Sequence, residues 1–473
     1  RLNWRESYEL FPDMVLNHYY YDKQQDNLYN MLCQEAEYAF IWGLVVMFIT
    51  FIGWGWYGAR KSTPDQTKGG KIYTPKEVAR FLKRFKISSD LKIAGMPLVK
   101  DKETSHILIT GTTGSGKSNC MHNLLPQIRK KGHAAIIVDF TGEMVERYYD
   151  QSRGDVILNP FDDRSENWDF WREVEAEGAN ICNTNLEIVS QALFTPDDNK
   201  EEAFWYESAE VIFQDSVESL LRQDKRSMSQ LNNMLAKIEL KELGRLLKNS
   251  YSSPYLDPSN EKTAASIRSN LATSTKPLRY LKDVEKGFCL RDYIAGIDSS
   301  NGWLFLSASA STRSVVRPLI SMWLDIITNR IMTLAPNYDR RVWLIIDELP
   351  ALKKVPALPT ALAEFRKYGG CILAGMQSAN QLYKLYGHND GLTMLDQFNT
   401  KFIFRTEENN FASYICKNFG DIEYTETQES LSYGSHEMRD GVNFSIIVRV
   451  KALMKTSDFA SLADLEAYVK LPL

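Results

Sequence analysis

The sequence contains no CxxC pair and no HExxH, and neither charge sign is in large excess. Its six cysteines (Cys33, Cys120, Cys182, Cys289, Cys371 and Cys416) are scattered, which argues against a disulfide framework or a zinc site and for buried free thiols in a reducing compartment. The six histidines are dispersed as well, so no metal-hydrolase constellation forms. A formal net charge of −4 on 473 residues gives no global electrostatic case for nucleic acid, and any such contact has to come from a local patch. Neither an LSGGQ-like signature nor NKxD occurs, which disfavours an ABC transporter and a GTPase. What is present is an ordinary globular composition, 44% hydrophobic and 25% charged, on a chain long enough for roughly two or three structural units.

Charge is missing altogether from Tyr38 to Ala59. These 22 residues are enough to cross a bilayer core as a helix, and Trp42, Trp54, Trp56 and Tyr57 fall near the ends, where interfacial aromatics belong. Core helices of soluble proteins seldom run so long without a charge. Downstream stand Arg60, Lys61, Lys68, Lys71, Lys76, Arg80, Lys83, Arg84 and Lys86 against Asp65 and Glu77, whereas residues 1–37 are mainly acidic. The positive-inside rule places the C-terminal side in the cytoplasm and residues 1–37 outside it. The chain starts with Arg and has no signal peptide, so a first transmembrane helix is expected upstream, with residues 1–37 as an external hairpin loop.

Residues 60–75 read as a linker, after which Thr74-Pro75-Lys-Glu77 is a helix start. From about residue 90, short apolar runs alternate with helical patterns: His106–Thr110, Ala135–Asp139, Gly302–Ser307, Val342–Asp347, Cys371–Gly375 and Lys401–Arg405. Such runs suit buried parallel strands, and the alternation predicts an α/β open sheet with its ligands at the carboxyl ends of the strands. Between about 180 and 275 the pattern is helical only. Phe204, Trp205, Ala209, Ile212, Phe213, Val217, Leu220 and Leu221 trace one apolar face, and Leu231, Leu235, Ile238, Leu243, Leu246 and Leu247 another. The expected organisation is an extracytoplasmic segment (1–37), a transmembrane helix (38–59), a cytoplasmic linker and helix (60–89), a nucleotide-binding domain (90–180 and 276–473) and an all-α domain (181–275).

Gly111-Thr112-Thr113-Gly114-Ser115-Gly116-Lys117-Ser118 is a complete phosphate-binding loop, directly after a strand and before a helix opening at Asn119. Its glycines let successive backbone N–H groups turn around phosphate oxygens, Lys117 reaches the β- and γ-phosphates of ATP, and the Ser118 hydroxyl ligates Mg²⁺. The run Val-Trp-Leu-Ile-Ile-Asp347-Glu348 supplies the partner acids. Asp347 holds Mg²⁺ through water and Glu348 orients the attacking water, which points to an ATP hydrolase; two solvated acids at a strand end are the alternative. Gln377, at the end of the next strand, is read as a γ-phosphate sensor or a polar loop cap. Arg366, on the helix after the Glu348 strand, is read as a trans-acting finger or a solvated helix-face arginine. Arg405 is a lesser finger candidate, and Asp139 either borders the site or caps a helix.

The membrane-anchored start, the GTTGSGKS loop, the Asp139 strand, the helical insertion and Leu-Ile-Ile-Asp347-Glu348-Leu-Pro resemble the type IV coupling proteins of conjugative plasmids, the TraD/TrwB kind. Glu364-Phe-Arg366-Lys-Tyr-Gly-Gly and Gly375-Met-Gln377-Ser are similar to the family's later motifs, with weaker touches at Phe204–Ala209 and Tyr468–Pro472. The resemblance implies a RecA-like P-loop ATPase with a helical cap, a homo-hexameric ring in the bacterial inner membrane and the ATPase portion in the cytoplasm. It implies recruitment of a single-stranded DNA–relaxase complex and its transfer to a type IV secretion channel. It also implies Arg366 as the finger and Gln377 as the sensor. TraD-type members often carry a C-terminal tail that binds the relaxosome, and this sequence stops at Leu473 without one. Two alternatives stay open: a division- or repair-type duplex DNA translocase, for which no winged-helix reader is visible, and a secretion ATPase moving protein cargo only.

Overall fold

The computed structural model describes residues 18–61, 65–176, 178–195, 200–257, 261–432 and 441–473. In chain order its strands are β1 (Asp65–Gly69), β2 (Ser88–Ile93), β3 (Met96–Val99), β4 (Ile107–Thr110), β5 (Ala134–Asp139), β6 (Val156–Leu158), β7 (Leu304–Ser307), β8 (Val342–Ile346), β9 (Gly370–Met376), β10 (Thr400–Ile403), β11 (Asp421–Ser432), β12 (Gly441–Ala452) and β13 (Tyr468–Lys470). They fall into two units, Arg1–Gly70 with Asp421–Lys451, and Lys71–Gly420 with Ala452–Leu473.

The smaller unit contains one long helix, His18–Lys61, which begins well before Tyr38. Its window Gln25–Tyr57 is long and apolar enough to cross a membrane, and none of it is buried within the chain. Thr50, a hydroxyl inside the apolar run, donates back to the carbonyls of Val46 and Met47 and so needs no water. Asp65–Gly69, in the stretch read as linker, is a strand instead, paired antiparallel with β11 in a sheet of order β1-β11-β12. Asp421–Lys451 lies within the range 276–473 in sequence and groups with this smaller unit.

The larger unit is built on an eight-stranded sheet of order β13-β10-β4-β9-β8-β5-β7-β6. Every pairing is parallel except that of β13 with β10. Its strands read as unbroken apolar runs because both faces are covered. Alternate residues feed two cores. Leu108, Ile136, Val138, Leu304, Leu306, Leu344 and Ile346 face one, with helix Arg313–Met332. Ile107, Ile109, Ile137, Phe305, Trp343 and Ile345 face the other, with helix Lys117–Lys130 and the β2–β3 hairpin. The strands β6 and β13 escaped the sequence reading; three residues at a sheet edge give periodicity too little to work with.

Between β6 and β7 the described residues form helices and one isolated bridge, Trp168 to Phe288, which closes the neck of the insertion. The apolar face read from Leu231 to Leu247 belongs to two helices, Met228–Ala236 and Leu240–Leu246, separated at Lys237–Glu239. A buried ion pair ties this insertion to the sheet-covering helix. Arg330 reaches Glu173 at 3.5 Å and donates to Asn185 Oδ1 at 2.9 Å, while Glu173 also accepts from the backbone N–H groups of Leu290 and Arg291. Glu173 is fully buried, so these donors replace the water its carboxylate has lost.

Candidate nucleotide site

The site lies where β4, β8 and β9 end. After Thr110 the chain turns through Gly111, Gly114 and Gly116, with φ of 156°, 80° and 116°, into helix Lys117–Lys130. A side chain at Gly111 would bring its Cβ to 2.6 Å from Phe404 Cβ and 2.7 Å from Ser115 Oγ, so that position admits glycine alone. The loop is fixed from several sides. Gly111 N–H donates to Met376 O at 3.3 Å, Thr112 N–H to Arg405 O at 2.8 Å, and Ser115 Oγ to Thr112 O at 2.7 Å. Lys117 Nζ donates to the carbonyls of Gly111 and Thr112, at 2.8 and 3.0 Å. Burial pushes its pKa down while the charges of Glu348 and Asp347 oppose the shift. Ser118 is half-buried and Asn119 exposed at the start of the helix.

Asp347 and Glu348 follow β8, and β9 runs between β8 and β4. Both carboxyls are pushed above their ordinary range, mainly by burial. Asp139 and Glu143 add to the rise at Asp347, whereas the Gln377 backbone N–H and Lys117 hold Glu348 back. Gln377, one residue past β9, donates its N–H to Glu348 Oε1 at 3.3 Å and accepts from Thr113 Oγ1 at 3.0 Å. The loop, the acid and the amide are thus joined in one chain of hydrogen bonds.

The remaining candidates separate. Asp139 is a cap: its buried carboxylate accepts from the N–H groups of Thr141, Gly142, Met144 and Val145 at 2.8 to 3.1 Å, at the start of helix Glu143–Tyr148. Arg405 lies beyond β10 rather than in it, and pairs with Asp464 at 2.8 Å. Arg366 sits in a 3₁₀ turn, Phe365–Tyr368, not on the preceding α-helix, and its exposed guanidinium has no partner among the described residues. It precedes the N-terminal end of β9, a strand about 20 Å long, while the phosphate loop lies at the opposite end.

Two contributions had no local signal in the sequence. Leu465 N–H donates to Ser115 O at 2.9 Å, and a Cβ on Gly116 would meet Leu465 Cδ2 at 2.9 Å, so the C-terminal segment backs the loop. Gly375 passes so close to β8 that a Cβ would lie 2.0 Å from Asp347 O. Only a three-dimensional packing relation gives either residue this role.

The residues present fit ATP with Mg²⁺. Thr112 Oγ1 is buried without a hydrogen-bond partner among the described residues, Gly114 has open space on its Cβ side, and Lys117 makes no ion pair among the described residues. Among the described residues no cluster of three or more His, Cys, Asp or Glu could hold a metal by itself.

Sheet, insertion and loop together define a RecA-like P-loop NTPase. Residues 90–473 match the family model described as the type IV secretion-system coupling protein DNA-binding domain, and the chain belongs to that family. It is 36% identical over 446 residues to the coupling protein TraD of Escherichia coli (strain K12), covering 92% of this chain and 61% of that relative. The chain therefore spans about three fifths of the relative's length. Among solved structures, the bacterial conjugative coupling protein TrwBdeltaN70 superposes with a TM-score of 0.74 at 24% identity, over 86% of this chain and 91% of that one. The plasmid coupling protein TrwB in complex with ADP and Mg²⁺ gives 0.73 at 24% identity over the same shares. At that identity the likeness establishes the fold.

Proposed function

We propose that this chain is a membrane-anchored ATPase that couples ATP hydrolysis to recruitment of a DNA–relaxase complex and its transfer into a type IV secretion channel. The observation that carries the catalytic part is the Thr113–Gln377–Glu348 chain, which ties a half-buried acid to the phosphate loop. Coupling-protein membership and a DNA-binding family description support the transfer role.

The backbone N–H groups of Gly111–Ser118 and the N-terminus of helix Lys117–Lys130 bind the phosphates, and Asn119 lies in the first turn beside them. Lys117 leaves its two carbonyl partners for the β- and γ-phosphates. Ser118 and Asp347 would hold Mg²⁺, which when bound would supply positive charge against the phosphates. Glu348 accepts the proton of the attacking water, and its raised pKa makes it a stronger base than a solvated glutamate. Gln377 reports the γ-phosphate through Thr113. Arg366 completes the site of a neighbouring copy, because it precedes the strand end opposite its own loop. A ring of six copies satisfies that requirement for every site. Helix residues 38–59 anchor the ring in the bacterial inner membrane, with 1–37 outside and 60–473 on the cytoplasmic side; 90–180 with 276–473 bind nucleotide and 181–275 form the helical cap.

ATPase turnover with and without single-stranded DNA, duplex DNA and protein cargo tests the reading. Stimulation by single-stranded DNA is expected; stimulation by protein cargo alone, or by duplex alone, replaces it with one of the alternatives. Rings mixing Arg366→Ala with Lys117→Ala subunits should recover part of the activity that each variant lacks. No recovery in confirmed mixed rings removes Arg366 from the site.

A further inference from the structure

Helix Pro75–Arg84 is short, sharply bounded and unlike the rest of the surface. Pro75 occupies its first position. Thr74 and Glu77 form a reciprocal cap, with Thr74 N–H donating to Glu77 Oε2 at 2.8 Å and Glu77 N–H to Thr74 Oγ1 at 3.4 Å. It ends where Phe85 N–H closes on Phe81 O and Lys86 turns to a φ of 59°. Leu82 is fully buried beneath it and Val78 packs on the core shared with helix Lys117–Lys130.

The outer face carries Lys76, Arg80, Lys83, Arg84 and Lys86, all exposed and none in an ion pair among the described residues. Glu77, the one acid on the helix, is occupied by the cap. Among these cations stand Phe81 and Phe85, 45% and 57% exposed, their ring centroids 4.6 Å apart. Two large apolar rings about half exposed beside five cations with no ion pair among the described residues make an amphipathic patch.

We propose that this helix docks on the anionic headgroup layer of the membrane that the N-terminal helix enters, with the cations on lipid phosphates and Phe81 and Phe85 as a wedge at the acyl boundary. The inference rests on the membrane anchorage proposed above. Three features select this occupant. Residues 62–74, between the end of helix His18–Lys61 and Pro75, span at most about 45 Å, which bounds how far Pro75 can lie from the end of that helix. Clustered cations beside aromatic rings suit an anionic interface, where charge attraction and apolar insertion act together. The two rings, tilted at 46° with centroids 4.6 Å apart, form one contiguous apolar pair of the size that inserts at an acyl boundary. A second copy of the same patch is repelled by its own charge.

The test uses the full chain in lipid nanodiscs, with Cys33 and Cys182 replaced by serine and a polarity-sensitive fluorophore on Lys83→Cys; the other cysteines are buried. Emission should shift to the blue and gain about twofold in intensity when phosphatidylcholine discs receive about 30% phosphatidylglycerol. About 0.5 M salt should reverse the change. The combined Phe81→Ser and Phe85→Ser variant should lose the blue shift, and the combined Lys76→Gln, Arg80→Gln and Arg84→Gln variant should lose the response to phosphatidylglycerol. A chain incorporated in the discs with identical spectra in both lipids overturns the inference alone. A shift caused by single-stranded DNA in phosphatidylcholine discs, with none from phosphatidylglycerol, gives the patch to nucleic acid. A shift that follows the number of chains per disc gives it to a second copy. Failure of the chain to incorporate at all defeats the anchorage and the inference with it.

Discussion

The hydroxyl of Thr113 donates to the side-chain oxygen of Gln377 at 3.0 Å, linking the phosphate loop to the strand beside it. Because the Gln377 N–H continues to Glu348, removing the amide side chain cuts the loop from the base without removing either. For Gln377→Ala we expect nucleotide affinity to change by less than about threefold and kcat to fall by about 10- to 100-fold. Steady-state kinetics with a separate nucleotide titration checks this. A variant with raised KM and unchanged kcat assigns Gln377 to binding only.

In the proposed mechanism Glu348 acts as a base only while ionised, and burial raises its pKa above the ordinary value of 4.5. A raised carboxyl pKa means that protonation, and loss of the base, sets in at a higher pH than for an exposed glutamate. The acid limb of kcat/KM, which reports the free enzyme, should therefore have its midpoint above 4.5. Glu348→Gln should abolish most turnover while retaining ATP binding. A limb centred at or below the ordinary value, or a fully active glutamine variant, removes Glu348 from the chemistry.

The place of the site was legible because parallel strands deliver their carboxyl ends to one edge, so Gly111, Asp347 and Gln377, each just past an apolar run, had to converge. Periodicity showed the central strands for the same reason: both faces are buried and the runs are unbroken. Legibility stopped where the information was not local. Leu465 sits more than three hundred residues from the loop that it supports, and nothing in Ala-Asp-Leu-Glu signals the contact. Strand β1 hid in a polar stretch because its partner, β11, supplies the pairing. Asp139 looked equally suited to site or cap until the backbone of Thr141–Val145 was seen to turn onto it.

Gly375 is the position at which a single methyl group should disturb Asp347, the acid proposed to bind magnesium. Its Cβ would lie 2.0 Å from Asp347 O and 2.8 Å from Met121 Cε, so β8 and β9 have to part or Asp347 has to move. Gly375→Ala is expected to lose about 1–3 kcal/mol of stability. It should also lose more affinity for nucleotide with Mg²⁺ than for nucleotide with a chelator. Thermal melts in both conditions separate the two effects. An equal loss with and without Mg²⁺ means that Asp347 is not the group displaced.

The loop after Glu348 is held by side chains from elsewhere. Arg317 donates to Leu352 O at 2.7 Å, Lys353 N–H to Ser321 Oγ at 2.9 Å, Val355 N–H to the Tyr386 hydroxyl at 3.1 Å and Ala357 N–H to Asp325 Oδ1 at 2.8 Å. Asp325 is the costly member: burial raises its pKa from 3.8 to about 7, with the Ala357 N–H opposing. Since the folded state binds this proton more tightly than the unfolded state, the stabilisation is complete below 3.8 and drains away as pH rises to about 7. Asparagine keeps an oxygen for Ala357 and never ionises. The advantage of Asp325→Asn over the parent should therefore grow from about pH 4 to pH 7 and then level off, reaching on the order of 1–3 kcal/mol. Melting temperatures of both proteins across that range measure it. A difference that is constant with pH, or that shrinks towards pH 8, means that Asp325 is not ionising in the folded protein as its burial requires.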